Sequence, residues 1–177
     1  MYSKEEIEKI FRYSSIPDEL FDAFKESLGL QLKDVELYKI FLCNPVNTAD
    51  EIKMYVEKLI KEFPQNEYEL YMWVGQLFES FRPDYERLED SFNFYVRAYN
   101  KDKTNATPIL KIINLYSFEI DFPLNKKIIE AAEDNVVSLH QKSKVYSALS
   151  SLYGKIGNVE LEVKYYALAE KAAERES

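Results

Sequence analysis

Apolar residues recur at helical spacing along almost the whole chain. Ile7, Ile10 and Phe11 open the pattern. Ser3, with Glu6 three residues later, forms a capping box in front of them and predicts a helix over 3–13. Ser15 to Pro17 breaks that helix. Pro17 then suits the first turn of a second, which carries Leu20, Phe21, Phe24 and Leu28 and stops at Gly29. A third helix is predicted from Leu32 to Cys43, ended by Asn44-Pro45. Thr48 or Asn47 caps a fourth, with Ile52, Tyr55, Val56, Leu59 and Ile60 on one stripe and Phe63-Pro64 closing it. The fifth, Glu67 to Phe81, is the most aromatic: Tyr68, Tyr71, Trp73, Phe78 and Phe81. Arg82-Pro83-Asp84 turns the chain into a sixth, which runs through Leu88, Phe92, Tyr95, Val96 and Ala98 to Tyr99. The polar run 100–105 reads as the best internal loop. Thr107-Pro108, a cap and a first-turn proline, opens a seventh helix through Ile109, Ile112, Ile113 and Tyr116. Asp121-Phe122-Pro123 leads into an eighth, with Leu124, Ile128, Ile129 and Ala132.

The last long stretch, Tyr146 to Ala173, reads as two helices joined at Gly157-Asn158, a helix stop followed by an N-cap. Leu149, Tyr153 and Ile156 mark the apolar face of the first, with small Ser150 beside them. Val159, Val163, Tyr166 and Ala169/Ala173 mark that of the second. The tail from Glu174 to Ser177 is expected to fray.

This stretch resembles a tetratricopeptide repeat, a family that pairs two antiparallel helices per unit. Tyr146, Leu149-Ser150 and Tyr153 match its first helix, Gly157 and Asn158 the turn, and Tyr166 and Ala169 the second helix. Glu162 departs from the pattern, because the family places a small residue there. Fainter copies lie upstream. The pair Ser150/Tyr153 is preceded by Ile113/Tyr116 and Gly75/Phe78, and Tyr166/Ala169 by Ile129/Ala132, Tyr95/Ala98 and Val56/Leu59, at a nearly constant step. The resemblance implies an all-α α-solenoid of antiparallel helix hairpins, about ten helices in a right-handed superhelix. Residues 1–30, whose helices miss the repeat spacing, are expected to form an N-terminal helical cap on 31–177, about four hairpins in a single domain overall.

With 4 glycines and 6 prolines, the composition suits long helices on short links. The formal net charge of −8 disfavours nucleic-acid phosphates and anionic lipid as partners. The one cysteine, Cys43, allows no internal disulfide, and it sits where an inert buried thiol is expected. The amphipathic start MYSKEEIEKIF lacks the apolar core of a secretion signal, and no apolar run is long enough to span a membrane. A cytoplasmic location is the expectation.

Catalytic and metal chemistry find little support. His140 is the only histidine, which excludes His-rich metal sites and paired-His hydrolase motifs, and a Cys43–His140 dyad has nothing local behind it. The acidic pairs read as solvated helix faces. No cofactor and no enzymatic role are expected. The resemblance implies instead a protein-interaction scaffold or adaptor that holds a protein or peptide segment in a concave groove lined by first helices. Its narrower form is a small acidic chaperone or regulator. The groove residues implied are Met72, Trp73, Gln76 and Glu79, then Lys111, Asn114 and Phe118, then Lys144, Ser147 and Ser151. Trp73 lies off the core stripe and is the anchor to watch. One known use of the fold, a clamp on a free C-terminal carboxylate, is rejected: Asn114 fits, but Leu110 and Ala148 stand where a Lys and an Asn are needed. An RNA-binding helical-repeat protein is the alternative, an enzyme on a helical scaffold comes third, and self-association through an unstacked repeat end stays open.

Overall fold

The computed structural model describes residues 2–80, 84–119 and 122–177. Among them are ten α-helices and no strand: α1 Lys4–Tyr13, α2 Pro17–Gly29, α3 Val35–Leu42, α4 Ala49–Glu62, α5 Glu67–Glu79, α6 Tyr85–Lys101, α7 Thr107–Asn114, α8 Leu124–Asn135, α9 Lys142–Ile156 and α10 Val159–Glu176. The fold is all-α, as the periodicity requires. Phe81, Arg82 and Pro83 of the expected fifth helix and its turn, and Asp121 of the next turn, lie outside the described residues. The chain divides into two compact units, Met1–Val74 and Gly75–Ser177. The division falls inside α5, and α1 and α2 share the first unit with α3 and α4.

Local signals set most helix ends. Ser3 and Thr48 each accept from the backbone N–H three residues on, and Glu6 and Glu51 reach back to complete both capping boxes. Pro17 occupies the first turn of α2. α3 starts three residues later than Leu32, because the Asp34 side chain caps it by accepting from Leu37 N–H. The polar run after α6 begins later than 100, since Asn100 and Lys101 still belong to that helix. α7 stops at Asn114, short of Tyr116, and Thr107 is its first residue, its N–H held by Asn105 Oδ1 at 2.9 Å.

The first unit closes around stacked rings. Phe24 lies flat on Phe41 at 4.5 Å between centroids, Tyr55 meets Phe41 edge-on at 4.7 Å, and Phe11 packs on Phe41 at 4.9 Å. These side chains come from α1, α2, α3 and α4, so one aromatic cluster holds all four helices. Such pairs add about 1 kcal/mol each beyond the area they bury.

In the second unit the best-defined hairpin is α9–α10. Gly157 takes the left-handed conformation at φ 85°. The N–H of Asn158 reaches the Tyr153 carbonyl at 2.9 Å, and the Asn158 side chain caps α10 through Leu161 N–H. The helices run antiparallel: Ser150 Oγ donates to the Glu162 carbonyl near the turn, and Ser143 binds the Glu176 carboxylate at the far end. That far contact corrects the expectation of a frayed tail. α9 has no side-chain cap of its own, and Glu176 supplies the acceptor.

α10 turns a different face inward from the one its sequence suggests. Tyr165 and Ala169 are buried, whereas Val159, Val163 and Tyr166 are 66%, 62% and 61% exposed. Two neighbouring apolar stripes compete on this helix, one residue apart in rotation. Tyr165 wins because its hydroxyl finds the Glu133 carboxylate at 2.6 Å. The departure at Glu162 is accommodated on the other side of the crossing, where its carboxylate lies over Gly154.

A similar close approach holds α5 to α6. Ser91 Oγ donates to the Gly75 carbonyl at 2.7 Å, and the Tyr95 ring lies against the Gly75 backbone. A methyl group at Gly75 would meet that ring at 2.6 Å, and Tyr95 is fully buried with its hydroxyl held by Glu79. At Gly154 the same methyl would meet only the end of the half-exposed Glu162 side chain. Gly75→Ala should therefore destabilise by about 1–2 kcal/mol, overpacking outweighing helix propensity, and Gly154→Ala should stabilise by about 0.5–1 kcal/mol. Urea unfolding of the two variants checks both signs.

Candidate functional site

The first unit carries a cleft of about 500 Å³ where the end of α1, the length of α3 and Trp73 of α5 face one another. Its geometry begins with Asn44, the residue after the C-cap of α3. Asn44 is 4% exposed. Its side-chain amide donates to the carbonyls of Phe11 at 3.0 Å and Ser14 at 3.1 Å, orphan acceptors at the end of α1. Its Oδ1 accepts from Val46 N–H at 2.9 Å. One buried amide thus fixes the last turn of α1 against the last turn of α3. That contact places Tyr13, Ile40, Cys43 and Pro45 on a shared wall.

Lys39 and Trp73 form the other side. The Lys39 ammonium stands 5.3 Å from the Trp73 ring centre and binds the carboxylates of Glu36 at 2.6 Å and Glu69 at 2.5 Å. Burial opposes its charge, but the two carboxylates outweigh burial and its pKa rises; the Lys39 ammonium in turn holds Glu69 below the ordinary carboxylate value. Arg12, on the opposite lip, is held by Glu8 at 2.7 Å. The cations of the cleft are thereby spoken for by carboxylates of its own rim. The Trp73 indole nitrogen is buried without a hydrogen bond of good geometry. It lies near the Cys43 thiol, whose pKa burial pushes up while the indole N–H pulls the other way. Cys43 is exposed, which corrects the buried thiol expected from sequence: it ends α3 at the mouth of the cleft.

The groove residues named from sequence fall in both units. Met72 and Trp73 belong to the first, both half-buried. The other eight belong to the second. Gln76 is exposed; Glu79 is half-buried and serves the hairpin by accepting from the Tyr95 hydroxyl. Lys111 and Asn114 project from α7, and Lys144, Ser147 and Ser151 form an exposed row on the neighbouring α9. Phe118 is 58% exposed and leans on Tyr116 at 5.2 Å.

No protein family, curated protein or solved structure matches the chain.

Sequence reasoning found Trp73 but missed the wall opposite it. Tyr13, an aromatic two residues past Phe11 and so off the Ile7–Phe11 stripe, was the available signal, and it is 76% exposed. Among the described residues no three His, Cys, Asp or Glu side chains converge on a metal position. A buried ionisable cluster lies in the second unit. Tyr153 and Tyr165 stack face to face at 5.5 Å, and both donate to Glu133 Oε1, at 2.8 and 2.6 Å. Both are buried, so this cluster organises α8, α9 and α10 and offers nothing to a ligand.

Two outcomes follow. Asn44→Leu strips one buried and one part-buried carbonyl of their donor and should cost about 2 kcal/mol, read by thermal or urea unfolding. The second concerns alkali. Burial, and then the Glu133 carboxylate, raise the pKa of both Tyr153 and Tyr165 above the ordinary 10.0. Above that pH the folded chain holds protons that the unfolded chain has released. The stability they confer is whole below it and declines as pH climbs past it. Melts through the alkaline range should show that decline, and Tyr153→Phe/Tyr165→Phe should flatten it from a lower starting stability.

Proposed function

We propose that the protein is a helical-hairpin interaction module, and that the first unit's cleft seats an uncharged apolar side chain of a protein partner. One observation carries the reading: the charges around the cleft are already paired with one another, which leaves the faces of Trp73, Tyr13, Ile40 and Pro45 as the surface on offer. A ligand that needs a free charge has little to bind there. An aromatic or branched aliphatic anchor gains by covering Trp73.

The tetratricopeptide resemblance supports the same class of role, since members of that family hold protein segments against paired helices. The net charge of −8 and the paired cations argue against RNA as the occupant. No group in the cleft is poised as a nucleophile or a base: Cys43 has its pKa raised, and the lysine is saturated with carboxylates.

Trp73 is the only tryptophan, so its emission reports this cleft alone. Tagged wild-type protein, expressed in the cells that make it, should retain a stoichiometric protein partner. The purified partner should shift Trp73 emission to the blue, and Ile40→Lys should abolish both effects while the circular dichroism stays helical. A partner held equally well by Ile40→Lys would remove the cleft from the account.

A further inference from the structure

The second unit holds a cleft of about 490 Å³ whose electrostatics are the reverse of the first. It lies between the start of α9 and the end of α10. Leu139 and Leu168 form its floor and the Tyr146 ring one side, while Lys142, Lys171 and Arg175 stand around it. Among the described residues, neither Lys171 nor Arg175 has a carboxylate within 4.0 Å, although Glu170 and Glu174 flank them on the same helix. Glu176 is the one acid of the lining. Its carboxylate is turned to the start of α9, where Ser143 donates to it from both N–H and hydroxyl, and its pKa is lowered by those bonds, with Lys142 close by. Three cations against one engaged carboxylate leave the cleft positive in a chain of net charge −8.

The attraction of the α10 C-terminus for cations accounts for Arg175 in the last turn. Lys171 stands one turn earlier, at i,i+4 spacing from Arg175, so both cations present themselves on the same side of α10. The cleft has the volume of a small-molecule site and the lining of one: apolar floor, one aromatic ring, a few charged groups of a single sign at the edge. His140 adds a ring N–H at the same edge.

We propose that this cleft binds a small organic anion, a carboxylate or phosphate monoester carried on a flat apolar body. The body lies on Leu139 and Leu168 beside Tyr146, and Lys171, Arg175 and Lys142 bind the anionic group. The site is separate from the first unit's cleft and rests on different residues.

The test uses the full-length protein and three probes of one shape: 1-naphthoate, 1-naphthyl phosphate and neutral 1-naphthamide, titrated calorimetrically. At least one anion should bind saturably at one site, more tightly than the amide. Lys171→Gln and Arg175→Gln, both at exposed positions, should each weaken the anion by roughly tenfold and leave the amide unchanged. Ile40→Lys should leave anion binding as in the wild type. The tighter of the two anions tells carboxylate from phosphate. Absence of saturable binding, binding indifferent to both charge removals, or capture of an acidic peptide where both naphthyl anions fail would each overturn the proposal.

Discussion

The structure of the second unit depends on helices that touch backbone to side-chain hydroxyl. Ser91 on α6 donates to a carbonyl of α5, and Ser150 on α9 donates to a carbonyl of α10. Either bond forms only if the two helix backbones come closer than large side chains permit. At the α5–α6 crossing this leaves no room for a side chain on Gly75, under the Tyr95 ring, whereas Gly154 lies only under the movable end of Glu162. Each crossing fixes its pair in register, so the tyrosines and leucines around it meet the same neighbours every time. The first unit solves the same problem differently. Its helices are held by interlocked rings around Phe41 and by the single amide of Asn44.

Much of this was legible wherever the cause is local. A capping box needs only Ser3 and Glu6, and a left-handed stop followed by a cap needs only Gly157 and Asn158; both sit where the letters place them. The start of α3 was misjudged for an equally local reason. Asp34 is itself a capping residue, and apolar Leu32 drew the predicted boundary outward. The inward face of α10 could not be read, because Val159, Val163 and Tyr166 make as good a stripe with Ala169 as Leu161 and Tyr165 do. The choice was made by Glu133, a residue of α8. An acceptor supplied by another helix leaves no trace in the periodicity of the helix it selects.

The same distinction separates the visible from the hidden part of the first cleft. Trp73 announces itself, since an aromatic off the buried stripe of its helix must face something other than the core. The wall opposite, Tyr13 with Ile40, Cys43 and Pro45, exists only after Asn44 has joined the ends of α1 and α3. Cys43 shows how far such a contact can mislead. In an apolar helix a cysteine reads as buried, yet the turn at Asn44-Pro45 leaves it at the surface.

Charge completes the contrast between the units. In the first cleft Lys39 holds two carboxylates and Arg12 one, so desolvating that surface with an apolar group breaks no unpaired charge out of water. In the second, Lys171 and Arg175 have no carboxylate within 4.0 Å among the described residues. An apolar side chain entering there would strip water from cations and return nothing; an anion would pair with them and still cover Leu139 and Leu168. Two clefts of nearly equal volume in one short all-α chain would, on the proposed readings, suit opposite chemistries. The selection comes from which lysines and arginines have an acid within 4.0 Å, since the apolar lining is similar in both.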